Sequence, residues 1–327
     1  MIINDRQISF RWIVNYFITC FRHFGLIYML HEMYYNFFTY VLEKLFYERR
    51  DKDTLRYLKR YIRNKPLDYF AYYKPVKDLE PCVWTCWLQG YDNAPPIIRA
   101  CINSMHKYTK ERGYDIIVIT EENISDYICM PDFILDKYRK GIISNAHFSD
   151  LLRTLLLINY GGVWLDATVL LNKEIPKPIL DSDFFVFRTS RNSNTIISPC
   201  SNWFIVARKK SPLLIKVFDV LAEYWKNNKY PINYYIYHIC VRLVITYDED
   251  AKQIWENMFF KHNDDSLFLM GKLFNDMDTR MKDYLCDLSF AHKLTYKFHN
   301  FGDDSVVDKK DTYYQYIISE NLNDAVY

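Results

Sequence analysis

The most constraining feature of the sequence is an alternation of short apolar runs with helical segments that begins at Cys82. Apolar runs of this length, separated by helices, predict parallel strands joined in βαβ units. The predicted elements are a strand at 82–87, a helix from Pro95, a strand at 114–120, a helix at 145–158 and a strand at 163–165. Ligands of such sheets bind beyond the carboxyl ends of the strands. Gln89, Gly90 and Asp166 are therefore predicted to lie near one another.

Further elements are predicted beyond this region. The strands are expected at 183–188 and 202–208, and the helices at 212–225 and 232–246. Together with the preceding alternation, they predict an α/β fold with a helical C-terminal part. A chain of 327 residues is long enough to bury one large core and to carry an appended segment.

The N-terminal segment 8–48 has the pattern of an amphipathic helix. Its apolar face contains Ile13, Phe17, Cys20, Phe24 and Ile27, and its opposite ridge contains Arg11, Asn15, Thr19 and Arg22. The segment either packs on the following domain or lies in a membrane interface, with its arginines toward anionic headgroups. Its longest uncharged run, 12–21, is shorter than the ~20 residues that a membrane-spanning helix needs.

A strongly charged stretch at 48–63 follows this segment and is expected to be a solvated helix or a hinge. Lys65-Pro66 ends it, because the residue before a proline disfavours the helical conformation. We therefore expect an amphipathic helical extension over 1–75 and a separate α/β domain over 76–327.

The charge balance indicates which partners to expect, and the cysteines indicate the cellular compartment. The 42 basic and 40 acidic residues leave a net charge of +2, without the basic footprint of nucleic-acid-binding domains, so no nucleic-acid partner is expected. The eight cysteines lack zinc-ligand spacing and are interpreted as free thiols. No secretory signal is recognised in the sequence. These features favour a cytoplasmic protein, at the inner face of the cell membrane if the N-terminal segment binds lipid.

Asp166 is the candidate centre of a functional site. It ends an apolar strand, follows two glycines that would let a ligand approach the backbone, and precedes Thr168 by two residues. A carboxylate at this place suits an oxygen-bound divalent cation that neutralises a leaving diphosphate. Asp150 and Arg153 share a face of the preceding predicted helix. The alternatives are that Asp166 only begins a turn and that the Asp150–Arg153 pair is a surface ion pair.

Three segments in order, 84–90, 146–153 and 160–168, resemble the capsular-polysaccharide-synthesis glycosyltransferases. That family is related to retaining sugar transferases with a short DXD-containing region, of the glycosyltransferase family 32 type. The resemblance runs from about Val83 to Leu171. It implies a bacterial-type enzyme with a GT-A-type, Rossmann-like nucleotide-sugar-binding core.

The resemblance also implies residue roles. Asp150 and Arg153 would help to hold the donor, and Asp166 would mark the position of the Mn²⁺ or Mg²⁺ bound to the diphosphate. Related enzymes carry a second aspartate where this chain has Thr168. This departure leaves three alternatives: weaker metal binding, a metal ligand from elsewhere in the chain, or metal binding that depends on the nucleotide itself. The positions assigned to donor binding are Trp84, Thr85, Trp87, Gln89, Gly90, Gly161, Gly162 and Thr168.

Two later segments, 201–207 and 292–297, resemble the family more weakly. Within them, His292 is a candidate second metal ligand and Lys297 a candidate diphosphate contact. His238 is an alternative metal ligand, and each histidine has the alternative of a structural role.

The sequence therefore predicts a metal-assisted, retaining glycosyltransferase. It would move a sugar from a nucleotide-sugar donor to a polysaccharide or lipid-linked acceptor. Two alternatives remain: a non-catalytic, membrane-associated component of polysaccharide assembly, and a sugar phosphotransferase. Dinucleotide-binding, P-loop, serine-hydrolase and zinc-protease signatures are not found in the sequence.

Overall fold

The computed structural model describes residues 2–3, 6–7, 10–62, 69–190, 198–298, 301 and 304–322. The strands are β1 (Ile2–Ile3), β2 (Arg6–Gln7), β3 (Val83–Cys86), β4 (Ile116–Ile119), β5 (Gly162–Leu165), β6 (Val169–Leu171), β7 (Phe184–Arg188), β8 (Cys200–Ala207) and β9 (Ala291–Lys293). The helices are α1 (Phe10–Phe24), α2 (Leu26–Lys59), α3 (Pro96–Thr109), α4 (Asp132–Arg139), α5 (Asn145–Tyr160), α6 (Lys177–Leu180), α7 (Pro212–Asn227), α8 (Ile236–Tyr247), α9 (Glu249–Asn257), α10 (Asp264–Leu267), α11 (Thr279–Leu288) and α12 (Tyr313–Leu322).

A five-stranded sheet forms the centre of the fold, in the order β4-β3-β5-β8-β7. The strand β3 pairs in parallel with both β4 and β5, which confirms the parallel arrangement predicted for this region. The sheet as a whole is mixed, because β8 pairs antiparallel with β5 and with β7. Trp84 pairs with Trp164 across β3 and β5, so the carboxyl ends of both strands reach the same edge of the sheet.

A small second sheet joins distant parts of the chain at this edge. The strand β6 begins three residues after Asp166 and pairs antiparallel with β9, with Val169 opposite Lys293. The backbone N–H of Leu294 donates to the carbonyl oxygen of Thr168 at 2.8 Å. This pairing places the side chain of Lys293 beside a strand end that is far away in the sequence.

Two apolar clusters bury the faces of these elements. In the larger one, residues of the central sheet such as Trp84 and Phe204 pack with helix residues such as Leu155 and Phe218, all of them inaccessible to solvent. The smaller cluster joins α3, β6 and α12 and contains Leu170. Burial of apolar surface on this scale is the main stabilising contribution to such a fold.

The N-terminal segment forms two helices, α1 and α2, which break at Gly25. Gly25 has a φ of +91°, a conformation that glycine adopts without strain. The end of α2 packs into the larger cluster through buried Leu58. Tyr61 lies there edge-on to Tyr224, with 5.7 Å between ring centroids. The charged stretch after residue 48 is thus helical through Lys59. The predicted end of this stretch at Lys65-Pro66 lies outside the described residues.

Some apolar side chains of the N-terminal segment are packed against the protein, and others are exposed. Cys20 is buried and Phe24 packs on Tyr57, whereas Phe21 and Ile27 are 49% and 72% exposed. Ile13 and Arg11 belong to the part of α1 whose side chains are outside the described residues. Among the described helices, none combines the length and the apolar character that crossing a membrane requires.

Candidate functional site

Asp166 follows β5 directly, at the edge of the sheet where β3 also ends. Its backbone N–H donates to the carbonyl oxygen of Trp203 at 2.8 Å, which fixes the turn that leaves the strand. The side chain is 23% exposed. Asp166 is therefore held at the edge where parallel sheets bind ligands, with part of its carboxylate open to the surface.

Within the described part of the chain, three side chains bind the carboxylate of Asp166. Trp164 donates from Nε1 to Oδ1 at 2.9 Å, and Lys293 donates from Nζ to Oδ2 at 2.7 Å. Arg153 places Nη2 3.2 Å from Oδ1. Burial disfavours ionisation, but the charges of Lys293 and Arg153, together with these hydrogen bonds, outweigh it and lower the pKa of Asp166 to about 2. The group is an anion at neutral pH.

Arg153 of α5 bridges two carboxylates. Its Nη1 lies 3.2 Å from Oδ1 of Asp150, one turn earlier on the helix, while its Nη2 contacts Asp166. Nη1 also donates to the carbonyl oxygen of Asn202 at 2.9 Å, and the guanidinium lies 4.9 Å from the ring centroid of Trp164. Only 6% of the Arg153 side chain is exposed. The Asp150–Arg153 ion pair is therefore buried and in contact with Asp166, and it is not a surface ion pair.

Asp150 is the second acid of the cluster. Burial raises its pKa to about 7, and the charge of Asp166 adds to this effect. The charge of Arg153 and a hydrogen bond of 2.7 Å from Nδ2 of Asn202 to Oδ1 act in the opposite direction. Asp150 and Asp166 thus lie on the same guanidinium, but the pKa of Asp150 is raised and that of Asp166 is lowered.

Lys293 connects both ends of the Asp-Ala-Thr turn. Its Nζ donates to Oδ2 of Asp166 at 2.7 Å and to Oγ1 of Thr168 at 2.5 Å. The side chain of Lys293 is 21% exposed, and that of Asp166 is 23% exposed. The ammonium is therefore the cation nearest to the exposed part of this carboxylate among the contacts that the structure describes.

His292, the predicted second metal ligand, is turned away from Asp166. It precedes Lys293 on β9, and successive side chains of a strand point to opposite faces. Its Nε2 lies 3.1 Å from the carbonyl oxygen of Leu285 and 3.2 Å from Nδ2 of Asn172. Burial lowers the pKa of His292 to about 4. The prediction of a joint Asp166–His292 metal site is not supported by this geometry, and His292 has a structural position.

His238 does not supply the missing ligand. It lies half-buried on α8, where burial and then the charge of Arg153 lower its pKa to about 4. In the part of the chain that the structure describes, no group of three or more His, Cys, Asp or Glu residues could hold a metal ion. Asp166, with each oxygen already bound to a cation, is the one carboxylate at the Asp-Ala-Thr turn. These residues do not fit a cation site built from protein ligands.

Trp87, Gln89 and Gly90 follow β3 at the same edge as Asp166. The backbone N–H of Gly90 donates to the carbonyl oxygen of Trp87 at 2.9 Å, and the φ of +82° at Gly90 favours glycine in this turn. Trp87 lies edge-on to Tyr296, with 5.1 Å between ring centroids, and Nζ of Lys297 lies 5.7 Å from the same tyrosine ring. These three turn residues and Lys297 are thus at the predicted edge, and their role in donor binding stays a prediction.

Trp84 and Thr85 occupy a different environment. Both side chains are fully buried, and Trp84 donates from Nε1 to the carbonyl oxygen of Gly161 at 3.0 Å. Trp84 also packs on Tyr160, with 5.2 Å between ring centroids. The expectation that these two side chains line a nucleotide pocket needs correction, because a fully buried side chain has no surface to offer a ligand.

The prediction that Gly161 and Gly162 contribute to donor binding also needs correction. They lie at the start of β5, some four residues from Asp166, or about 13 Å along a strand. A Cβ on Gly162 would lie 2.2 Å from the carbonyl oxygen of Cys82, and one on Gly161 would lie 2.7 Å from the backbone nitrogen of Lys209. The glycines therefore let neighbouring backbones pack closely. A cavity of about 610 Å³ beside them opens at this end of the sheet, away from Asp166.

The sequence interpretation missed two residues that contact the site directly. Lys293 reaches Asp166, and Asn202 binds Asp150 and accepts from Arg153. Both residues lie in the weak family segments. The available signal was strand alternation, because a lysine beside buried His292 in a short strand must face the other way.

The model of the family described as capsular polysaccharide synthesis protein matches residues 33–317, and the chain belongs to that family. The matched range includes the cluster of Asp150, Arg153, Asp166 and Lys293.

Curated relatives with similar sequences are fungal. The glycosyltransferase afumC of Aspergillus fumigatus is 28% identical over 47% of this chain and 43% of its own length. The O-glycosyltransferase braB of Annulohypoxylon truncatum is 24% identical over 44% of this chain and 37% of its own length. The chain thus matches less than half of the length of these relatives. The bacterial origin expected from the sequence stays a prediction.

Among solved structures, the PaToxG glycosyltransferase is similar to this chain at 15% sequence identity. The similarity covers 85% of this chain and 98% of that one, with a TM-score of 0.36.

Proposed function

We propose that this protein is a glycosyltransferase with a GT-A-type core, which moves a sugar from a nucleotide-sugar donor to a glycan or lipid-linked acceptor. The observation that carries the proposal is the position of Asp166, bound by Arg153 and Lys293 at the ligand edge of the parallel strands. Membership of the capsular polysaccharide synthesis family and the names of the matched relatives support it.

The reaction breaks the bond between the anomeric carbon of the sugar and the diphosphate oxygen. The bonding electron pair stays on that oxygen, and an acceptor hydroxyl forms the new bond to the anomeric carbon. The hydroxyl proton passes to the released diphosphate, directly or through water. Cationic groups fixed near the diphosphate favour this step, because negative charge grows there in the transition state.

The cluster supplies such groups in a fixed geometry. Lys293 is partly exposed beside Asp166, whereas Arg153 is buried behind it and bound to both acids. We assign Asp166 and Arg153 to positioning the cationic edge and Lys293 to contact with the donor. Trp87, Gln89 and Gly90, at the neighbouring strand end, are the proposed contacts of the nucleotide.

A panel of nucleotide sugars tests the proposal. The full chain is incubated with UDP-glucose, UDP-galactose, UDP-N-acetylglucosamine and GDP-mannose in separate arms with Mn²⁺, Mg²⁺ or a chelator. Released nucleoside diphosphate with free or transferred sugar supports a glycosyltransferase, and an α-configured product from an α-configured donor supports retention. Sugar phosphate as product would indicate a phosphotransferase. Binding without turnover in all arms would favour a non-catalytic assembly component.

We also propose that α1 and the start of α2 contact the cytoplasmic face of a membrane, where a lipid-linked acceptor would be located. Phe21, Ile27 and Leu30 are 49%, 72% and 49% exposed, and Arg22 is exposed beside them. Apolar side chains next to a cation suit an anionic lipid surface.

Liposome co-sedimentation tests this contact. Replacing Phe21 and Ile27 with serine should release the protein from phosphatidylserine-containing vesicles without changing its melting temperature. Replacing Phe24, which packs on Tyr57, should lower the melting temperature instead. Undiminished vesicle binding of the exposed-face double variant would contradict the proposal.

A further inference from the structure

The Asp-Ala-Thr turn is already occupied by a cation of the protein itself. Nζ of Lys293 lies 2.7 Å from Oδ2 of Asp166 and 2.5 Å from Oγ1 of Thr168. Its contacts therefore reach both the first and the third residue of the turn, which are the positions from which side-chain oxygens would hold a bound cation.

The backbone holds this lysine in place. Lys293 pairs with Val169 across β6 and β9, and the next residue, Leu294, donates its N–H to the carbonyl of Thr168 at 2.8 Å. Buried His292 anchors the same short strand on its other side through Leu285. An ammonium held by paired backbone and two side-chain acceptors is pre-organised, so little conformational freedom is lost when it meets an anion.

The ammonium has remaining capacity for a ligand. It carries three N–H donors, and the described contacts use two of them, on Asp166 and Thr168. Among the residues that the structure describes, no third acceptor is found for Nζ. With 21% of the side chain exposed, the third donor can meet an anion that arrives from the surface.

The charges at the turn also favour an anion. Asp166 carries one negative charge, and the two cations Lys293 and Arg153 lie within 3.2 Å of its oxygens. A divalent cation at Asp166 would have to displace the ammonium or lie beside two like charges, with one carboxylate for compensation.

We propose that the ammonium of Lys293 acts as the built-in cation of this site and binds the diphosphate of the donor, so that transfer does not require a divalent metal. The inference rests on the proposed glycosyltransferase function. When the bond between the anomeric carbon and the diphosphate oxygen breaks, the electron pair remains on the diphosphate, and Lys293 donates a hydrogen bond to its oxygens. The acceptor oxygen forms the new bond, and its proton leaves with the diphosphate or water.

Lys293→Ala tests the proposal. In chelator, wild-type turnover of the nucleotide-sugar panel should remain within about twofold of its value with Mn²⁺. The alanine variant should lose at least ~100-fold in chelator, because the charge on the leaving diphosphate is then uncompensated. Lys293→Arg should retain more activity than Lys293→Ala.

Binding gives a second readout that does not depend on turnover. Isothermal titration with UDP and GDP in chelator should show binding by the wild type and at least ~10-fold weaker binding by Lys293→Ala. Lys173 is the matched control, because it forms an ion pair of 3.1 Å with Asp287 on the surface. Lys173→Ala should leave both binding and turnover unchanged.

The two proposals fail in different ways. Wild-type turnover that requires Mn²⁺ or Mg²⁺ and disappears in chelator would overturn the role of Lys293 and leave the glycosyltransferase function intact. A folded Lys293→Ala variant with wild-type turnover in chelator would do the same. No turnover of any donor in any arm, with a folded wild type, would overturn both.

Discussion

Asp166→Asn is the change that most directly tests the site. The amide keeps the shape of the side chain, but it leaves Arg153 and Lys293 without their shared anion. The pKa of Asp166 falls from 3.8 to about 2 in the folded chain. At ~1.36 kcal/mol per pKa unit, this shift corresponds to on the order of 2 kcal/mol of stability at neutral pH. We expect a free energy of unfolding lower by that amount, and donor turnover lower by at least ~100-fold.

The pH dependence of this loss follows from the sign of the shift. A carboxyl group whose folded pKa is depressed stabilises the protein at pH values above its unfolded pKa, here 3.8. The contribution is lost as the pH falls through about 2. The part of the difference between wild type and Asp166→Asn that comes from the ionisation of Asp166 itself should therefore be constant from pH 5 to 8 and fall to roughly half at pH 3.

Denaturant unfolding at several pH values, together with donor hydrolysis, measures both effects. Asp183→Asn is a matched control, because its ion pair with Arg208 is largely exposed, with 70% and 71% of the side chains accessible. Exposed pairs contribute ~0–1 kcal/mol, so this control should differ little from wild type. Equal stability and equal turnover of Asp166→Asn and wild type would refute the reasoning, and Asp166 would then be only a turn residue.

Three further changes have distinct expected outcomes. Arg153→Lys should reduce turnover at least ~10-fold, since an ammonium cannot bridge Asp150 and Asp166 as a planar guanidinium does; unchanged kinetics would remove Arg153 from the site. The raised pKa of Asp150, about 7, makes the stability of the wild type fall as the pH rises through that value. Asp150→Asn should abolish this fall in stability between pH 5 and 8. Melting curves of both proteins at several pH values check this. Gly162→Ala should lower the free energy of unfolding by ~3 kcal/mol or more, because a Cβ would lie 2.2 Å from the carbonyl of Cys82 at a φ of +92°; a melting temperature equal to that of wild type would contradict the packing role.

The predicted strands and helices of the central region agree with the structure because their signals are local. The apolar run at 82–87 became β3, the helix at 145–158 became α5, and the later helices appear as α7 and α8. Periodicity reports which face of an element is buried, and parallel strands with intervening helices follow from that order. The position of Asp166 at the ligand edge followed from the same local pattern.

The sequence by itself thus determined the parallel core, the strand end that carries Asp166 and the proximity of Asp150 to Arg153 on one helix face. Tertiary structure decided what those residues contact. The pairing of β6 with β9 brings Lys293 to Asp166 across 127 positions and turns His292 away. Packing in the central sheet buries Trp84, and the backbone of Cys82 fills the space beside Gly162. Such outcomes depend on which distant segments pair with each other, and the local spacing of residues does not encode that pairing.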